Sequence, residues 1–194
     1  MTSTNVITIV SGLPRSGTSM IMKMLNVGGL EVVTDHVRKA DVDNPMGYYE
    51  TERVKKIRED ASWVAATQGK AFKMIVPLLP HLPLGFQYQV ILMRRDMGEI
   101  LRSQNKMLER LGRSSHEVPD EKLADLFARQ LSEITRWLEE QDNLRVLDVN
   151  YNDVLEDPAQ QVRRLAEFVE QDLGVRPMLD IIDPALYRNK APSV

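Results

Sequence analysis

The sequence predicts an α/β fold in three layers, a central parallel sheet of about five strands with helices on both faces. Short β-branched runs alternate along the chain with stretches of helical periodicity. Neither internal repeats nor low-complexity tracts interrupt that alternation, and 194 residues suit one domain, expected to span 1–194. Each element has a local cause. Residues 6–10 (VITIV) read as a buried strand ended by Ser11-Gly12. Residues 18–27 (TSMIMKMLNV), apolar on most sides, read as a buried helix stopped by Gly28-Gly29. Residues 30–34 form a second strand candidate, 35–49 a polar loop, and 50–67 a helix ended near Gly69. Residues 71–76 form the third strand, and the three prolines of 77–85 exclude regular structure there. Residues 89–93 make the fourth strand. Asp96 opens a helix to about Leu111, and 120–141 carries the stripe Leu123, Leu126, Phe127, Leu131, Ile134 and Leu138. Residues 144–149 are the fifth strand. Asp157 and Pro158 then suit the N-cap and first position of a last helix.

Composition narrows the function. Apolar residues make up 43% and charged residues 27%, as in a folded globular chain. With 25 basic and 28 acidic residues the net charge is −3, so no general nucleic-acid partner is expected, although a local basic pocket remains compatible. The absence of cysteine excludes disulfides, thiolate metal sites and cysteine nucleophiles. His36, His81 and His116 are scattered and make no metal-ligand pattern, so no metal is expected. No stretch approaches the roughly 18 apolar residues that span a membrane, and the N-terminus lacks a signal-peptide pattern. The expected location is the cytoplasm, with no membrane partner.

Parallel sheets bind ligands at the carboxyl ends of their strands, which directs attention to 11–19, 35–50, Lys73 and 94–96. Residues 11–19 (SGLPRSGTS) join the first strand to the first helix. Glycines there let backbone amides turn inward, and the helix N-terminus favours an anion. Gly12 and Gly17 match the spacing G-x-x-x-x-G of nucleotide phosphate loops, but Thr18 stands where a phosphoryl-transfer loop has its lysine. The cation lies inside the loop instead, at Arg15. Without the lysine, ATP-dependent transfer loses its main clamp.

Pro14-Arg15-Ser16-Gly17-Thr18-Ser19 resembles the donor loop of the sulfotransferase family, which transfers a sulfuryl group from 3′-phosphoadenosine 5′-phosphosulfate (PAPS) and releases 3′-phosphoadenosine 5′-phosphate (PAP). The resemblance implies a fold like that of P-loop nucleotide hydrolases, with Arg15 at the 5′-phosphosulfate and Ser16, Gly17, Thr18 and Ser19 completing the cradle. A second family motif places an Arg at a strand end and a Ser eight residues on, holding the 3′-phosphate. Arg95 and Ser103 have that spacing, about two turns along a helix. Arg94 is the alternative ligand, less well spaced. Asp96-Met97 replaces the family's usual Asn-Pro, and Asp96 can cap the helix. Residues 151–158 (YNDVLEDP) resemble a third family segment, which implies Tyr151 near the adenine; a packed core tyrosine fits equally. In the tail, Arg188 and Lys190 are further 3′-phosphate candidates.

The acceptor side departs from the family. Cytosolic sulfotransferases carry their base in Lys-x-His-x-Pro; here Lys73 and Pro77 stand in place but Ile75 replaces the histidine. Tyrosylprotein and heparan sulfotransferases use a Glu after the second strand, so Asp35, His36 and Glu50 are the base candidates, Asp35 and Glu50 ahead. Each also has a plain structural use, as turn cap, solvated side chain or helix start. Lys73 is expected to stabilise sulfuryl or bridging oxygens. The expected reaction is sulfuryl transfer to a hydroxyl or amine of a small-molecule or conjugate acceptor. A kinase with a degenerate loop and a non-catalytic nucleotide-binding module are the competing readings.

Overall fold

The computed structural model describes residues 5–35, 37, 41, 44, 47–112 and 118–182. Its sheet has four parallel strands, β1 (Val6–Gly12), β2 (Ala71–Ile75), β3 (Gln87–Arg94) and β4 (Leu144–Asn150), in the spatial order β2-β1-β3-β4. The two central strands are apolar along most of their length because both their faces are covered. Register aligns the strand ends: Gly12 pairs with Ile75 on one side and Met93 on the other, and Met93 pairs with Val149. The segments that follow these residues therefore open at one edge of the sheet.

Alternation along each strand fills two cores. On one face Val10, Ile91, Met93 and Val149 pack with the helices α1 (Thr18–Val27), α5 (Tyr151–Glu156), α6 (Pro158–Val169) and α7 (Val175–Leu179). On the other, Ile7, Ile9, Val90 and Leu92 pack with Trp63, Val64, Leu79 and, from α4 (Asp120–Glu139), Ile134 and Leu138. The helix α3 (Met97–Arg110) joins α4 through a smaller cluster of Leu13, Ile100 and Phe127. Caps set several starts. Asp96 accepts from the Glu99 amide at 2.9 Å, and Asp157 from the Gln160 amide at 3.0 Å with Pro158 at the first helical turn. Among the described residues, no helix is long and apolar enough to cross a membrane.

Three sequence expectations are corrected. The strand expected at 30–34 shrinks to one parallel bridge, Val32 with Ala71, so the sheet has four strands rather than five. Among the described residues, segment 30–34 bonds to β2 through Ala71 N–H to Glu31 O (2.8 Å) and Val33 N–H to Ala71 O (2.7 Å). Beyond Val33 its donors turn elsewhere: the Thr34 hydroxyl and the Asp35 amide both donate to the Glu50 carbonyl, each at 3.1 Å. The helix expected over 50–67 is broken into α2 (Glu52–Lys55) and a 3₁₀ segment, Ser62–Thr67. Between them the Asp60 carboxylate accepts from the Ser62 amide at 2.8 Å, a local turn that competes with helix propagation. The proline segment is not wholly irregular: Val76–His81 is 3₁₀, where Pro77 occupies an early position and Leu79 is fully buried.

Candidate active site

The turn after β1 is built around a helix start that has no side-chain cap. Gly17 occupies the N-cap position of α1 at φ +99°, and among the described residues no side-chain cap bond closes the start of the helix. A helix N-terminus normally satisfies those donors with a Ser, Thr, Asp or Asn side chain. Here the amides of Thr18 and Ser19 open the helix, with the positive end of its dipole behind them. Ser16 shapes the turn from within. It is fully buried, and its hydroxyl and amide both donate to the Leu13 carbonyl, at 2.7 and 3.2 Å. Pro14 lies exposed at the tip. Gly17 also has to be glycine for space: a Cβ there would meet Tyr151 Cδ2 at 2.5 Å.

Four of the sequence-selected residues meet on this turn. Arg15 has a left-handed backbone (φ 69°), and its Nε donates to Ser103 Oγ at 2.9 Å, 88 residues away in sequence. Arg95 Nη1 donates to the Arg15 carbonyl at 3.0 Å, while its guanidinium lies 4.1 Å above the Tyr151 ring. The alternative cation, Arg94, points elsewhere, to Asp148 (2.6 Å) and the Thr135 hydroxyl (2.8 Å). Ser103 thus hydrogen-bonds Arg15, whereas the spacing had paired it with Arg95. Tyr151 is 7% exposed and packed in the core. Burial pushes its phenol pKa up, Arg95 and Arg15 pull it down, and Glu99 adds to the rise.

A second group lies beside the same helix start. Lys73 Nζ is 3.2 Å from Glu50 Oε1 and 3.5 Å from Ser19 Oγ, and Asn44 Nδ2 donates to the same Ser19 hydroxyl at 2.8 Å. The Asp41 carboxylate accepts from the Asn44 amide (2.9 Å) and the Tyr48 hydroxyl (2.7 Å). Ile75 follows Lys73 on the same face of β2 and is 47% exposed. Asp35 is differently placed. Its two carboxylate oxygens accept from the amides of Val37 (3.0 Å) and Glu52 (2.8 Å), and these bonds hold its pKa below the ordinary 3.8. His36, Arg188 and Lys190 lie outside the described residues.

Two residues of the site escaped sequence reasoning. Asn44 gave no signal, since only the fold brings it to Ser19. Glu99 did give one: it stands four residues after Arg95 and three after its cap Asp96, in the spacing of an ion pair and of a capping box. It is fully buried, accepts from Arg95 Nε at 3.0 Å, and receives Asn152 Nδ2 at 3.3 Å.

Residues 44–174 match a family described as the sulfotransferase family. No curated protein sequence matches the chain. Among solved structures, the chain is similar to retinol dehydratase in complex with androsterone and inactive cofactor PAP (18% identity, TM-score 0.54, 90% of this chain and 62% of that one). It is also similar to the sulfotransferase domain of the Synechococcus PCC 7002 olefin synthase (16%, TM-score 0.55, 100% and 91%). A sulfotransferase from Mycobacterium avium gives 13% identity, TM-score 0.55, and coverage of 98% and 70%. At such identities the likeness is one of fold, and the chain spans less than two thirds of the retinol dehydratase structure.

Proposed function

This chain belongs to the sulfotransferase family, and on that premise we propose that it moves a sulfuryl group from PAPS to a hydroxyl or amine of a small-molecule or conjugate acceptor. The observation that carries the proposal is the uncapped start of α1, with Arg15 bent onto Ser103 and Arg95 behind it. Such a cluster suits a ligand that bears two phosphates on one ribose. PAP in the retinol dehydratase structures supports the same donor.

The donor supplies an activated sulfuryl group on its 5′-phosphate; the chain supplies binding, orientation and charge. The Thr18 and Ser19 amides and the Arg15 guanidinium receive the 5′-phosphosulfate. Ser103 and Arg95 serve the 3′-phosphate. Tyr151, buried beneath both, holds the floor of the site rather than stacking on a base. In the transfer, the acceptor oxygen or nitrogen forms a bond to sulfur as the bond from sulfur to the bridging oxygen breaks. Its proton passes to Glu50, and the charge left on the phosphate is met by Arg15 and Lys73. Glu50 is preferred to Asp35 because it reaches Lys73, which reaches Ser19 of the donor loop. Both oxygens of Asp35 are committed to backbone amides.

The test is incubation with radiolabelled PAPS and a panel of alcohols, phenols and amines. Label in an acceptor and stoichiometric PAP are expected. PAP binding with no transfer to any acceptor would replace the enzyme with a nucleotide-binding module, and magnesium-dependent ATP turnover would replace it with a kinase.

A further inference from the structure

A fully buried carboxylate sits behind the donor loop. Glu99, in the first turn of α3, is 0% exposed, and its ion-pair partner Arg95 has a side chain only 7% exposed. Burying such a pair carries a desolvation cost that is offset only by good geometry and further hydrogen bonds. Both are present. Glu99 Oε2 accepts from Arg95 Nε at 3.0 Å, and Oε1 accepts from Asn152 Nδ2 at 3.3 Å. The bond to Nε fixes the plane of the guanidinium. That plane then does two things at once. Its Nη1 holds the Arg15 carbonyl at 3.0 Å, and its face covers the Tyr151 ring at 4.1 Å. Arg15 needs the support, because a side-chain-bearing residue at φ 69° is strained. Tyr151 in turn lies against Gly17.

We infer that Glu99 is a positioning residue: through Arg95 it locks the Arg15 turn and the Tyr151 floor in the shape that receives the donor's phosphates. Its relevance to ligand binding rests on the PAPS-site reading above; its effect on the loop does not. The sign of one measurement separates this role from plain electrostatics. If Glu99 acted only as a negative charge near two phosphates, its neutralisation would tighten an anion. If it orients Arg95, neutralisation loosens the loop and weakens the anion.

The experiment compares the natural chain with Glu99→Gln and with Asn152→Ala, which removes the second bond to Glu99. PAP affinity is read by calorimetry, and hydrogen exchange is read at the amides of residues 15–20 and in β1 and β3. Glu99→Gln is expected to weaken PAP about tenfold, the size of one lost charge-assisted hydrogen bond. Faster exchange is expected at 15–20 with none in the strands, and Asn152→Ala should move both readouts the same way by less. If Glu99→Gln does not fold, Asn152→Ala decides. Unchanged exchange at 15–20, or PAP binding that is equal or tighter, overturns the inference. A natural chain that binds no PAP overturns the donor-site reading instead, and the exchange data still decide the role of Glu99 in the loop.

Discussion

Replacing Gly17 with alanine perturbs the site through one added methyl group, and the structure sets the size of the effect. Gly17 has φ +99°, a conformation that costs an L-residue about 1–2 kcal/mol. The new Cβ would stand 2.5 Å from Tyr151 Cδ2, 3.1 Å from Cε2 and 3.3 Å from Met93 Cε. Carbon pairs prefer about 3.5–4.0 Å, so the ring has to retreat by roughly 1 Å. It can do so only by moving within the core, which costs about 1–3 kcal/mol. The sum is about 3 kcal/mol, or a fall of roughly 6–12 °C in Tm for a chain of this length. Gly29 is the control. It too has positive φ (+107°), but nothing lies within 4 Å of its Cβ position, so Gly29→Ala should show the conformational part alone, about 1–2 kcal/mol. Urea denaturation of both variants measures the difference, and calorimetry with PAP should show binding weakened in Gly17→Ala and intact in Gly29→Ala. Equal stabilities for the two variants, or natural PAP affinity in Gly17→Ala, would refute the close packing of loop on Tyr151.

Other expectations concern chemistry. Arg15→Ala should lower kcat about 10²–10³-fold while Tm stays near that of the natural chain, because the lost donor acts on charge that develops in transfer. Glu50→Gln should lower kcat about 10²–10⁴-fold with PAP affinity little changed, whereas Asp35→Asn should leave kcat within a small factor. Equal losses from Glu50→Gln and Asp35→Asn would put the base on the wrong carboxylate. Asp35 should show instead in acid stability. Hydrogen bonds from Val37 and Glu52 hold its folded pKa below 3.8, so its stabilisation is present above that value and is lost as pH falls through the depressed one. Asp35→Asn should flatten that acid limb in pH-resolved urea melts; an unchanged limb contradicts the capping role.

The parts of the fold legible in the sequence have local causes. The β-branched run of β1 stops at Gly12, Asp96 and Asp157 cap their helices, and the apolar stripe of α4 buries Phe127, Ile134 and Leu138. Where a distant partner decides, sequence alone falls short. Residues 30–34 have strand character, but the Glu50 carbonyl draws away the donors of Thr34 and Asp35. The Asp60 turn is local, yet it divides a segment whose composition suits a helix, because spacing does not show which of two competing local structures wins. The candidate site divides in the same way. The loop, Arg95 and Ser103 are visible as spacing. That Arg15 takes the Ser103 hydroxyl, and that Arg95 reaches 80 residues back to the Arg15 carbonyl, follows only from the alignment of β1 and β3. Glu99 was readable at i+4 from Arg95, yet its importance lies in burial, which spacing does not report.

The central claim is that one cluster beside the start of α1 receives both phosphates of an adenosine ligand, and calorimetric titration with PAP and with AMP tests it most directly. PAP should bind in the micromolar range, and AMP, which lacks the 3′-phosphate, at least tenfold more weakly. Equal affinities for the two nucleotides, or no heat with PAP, would contradict it.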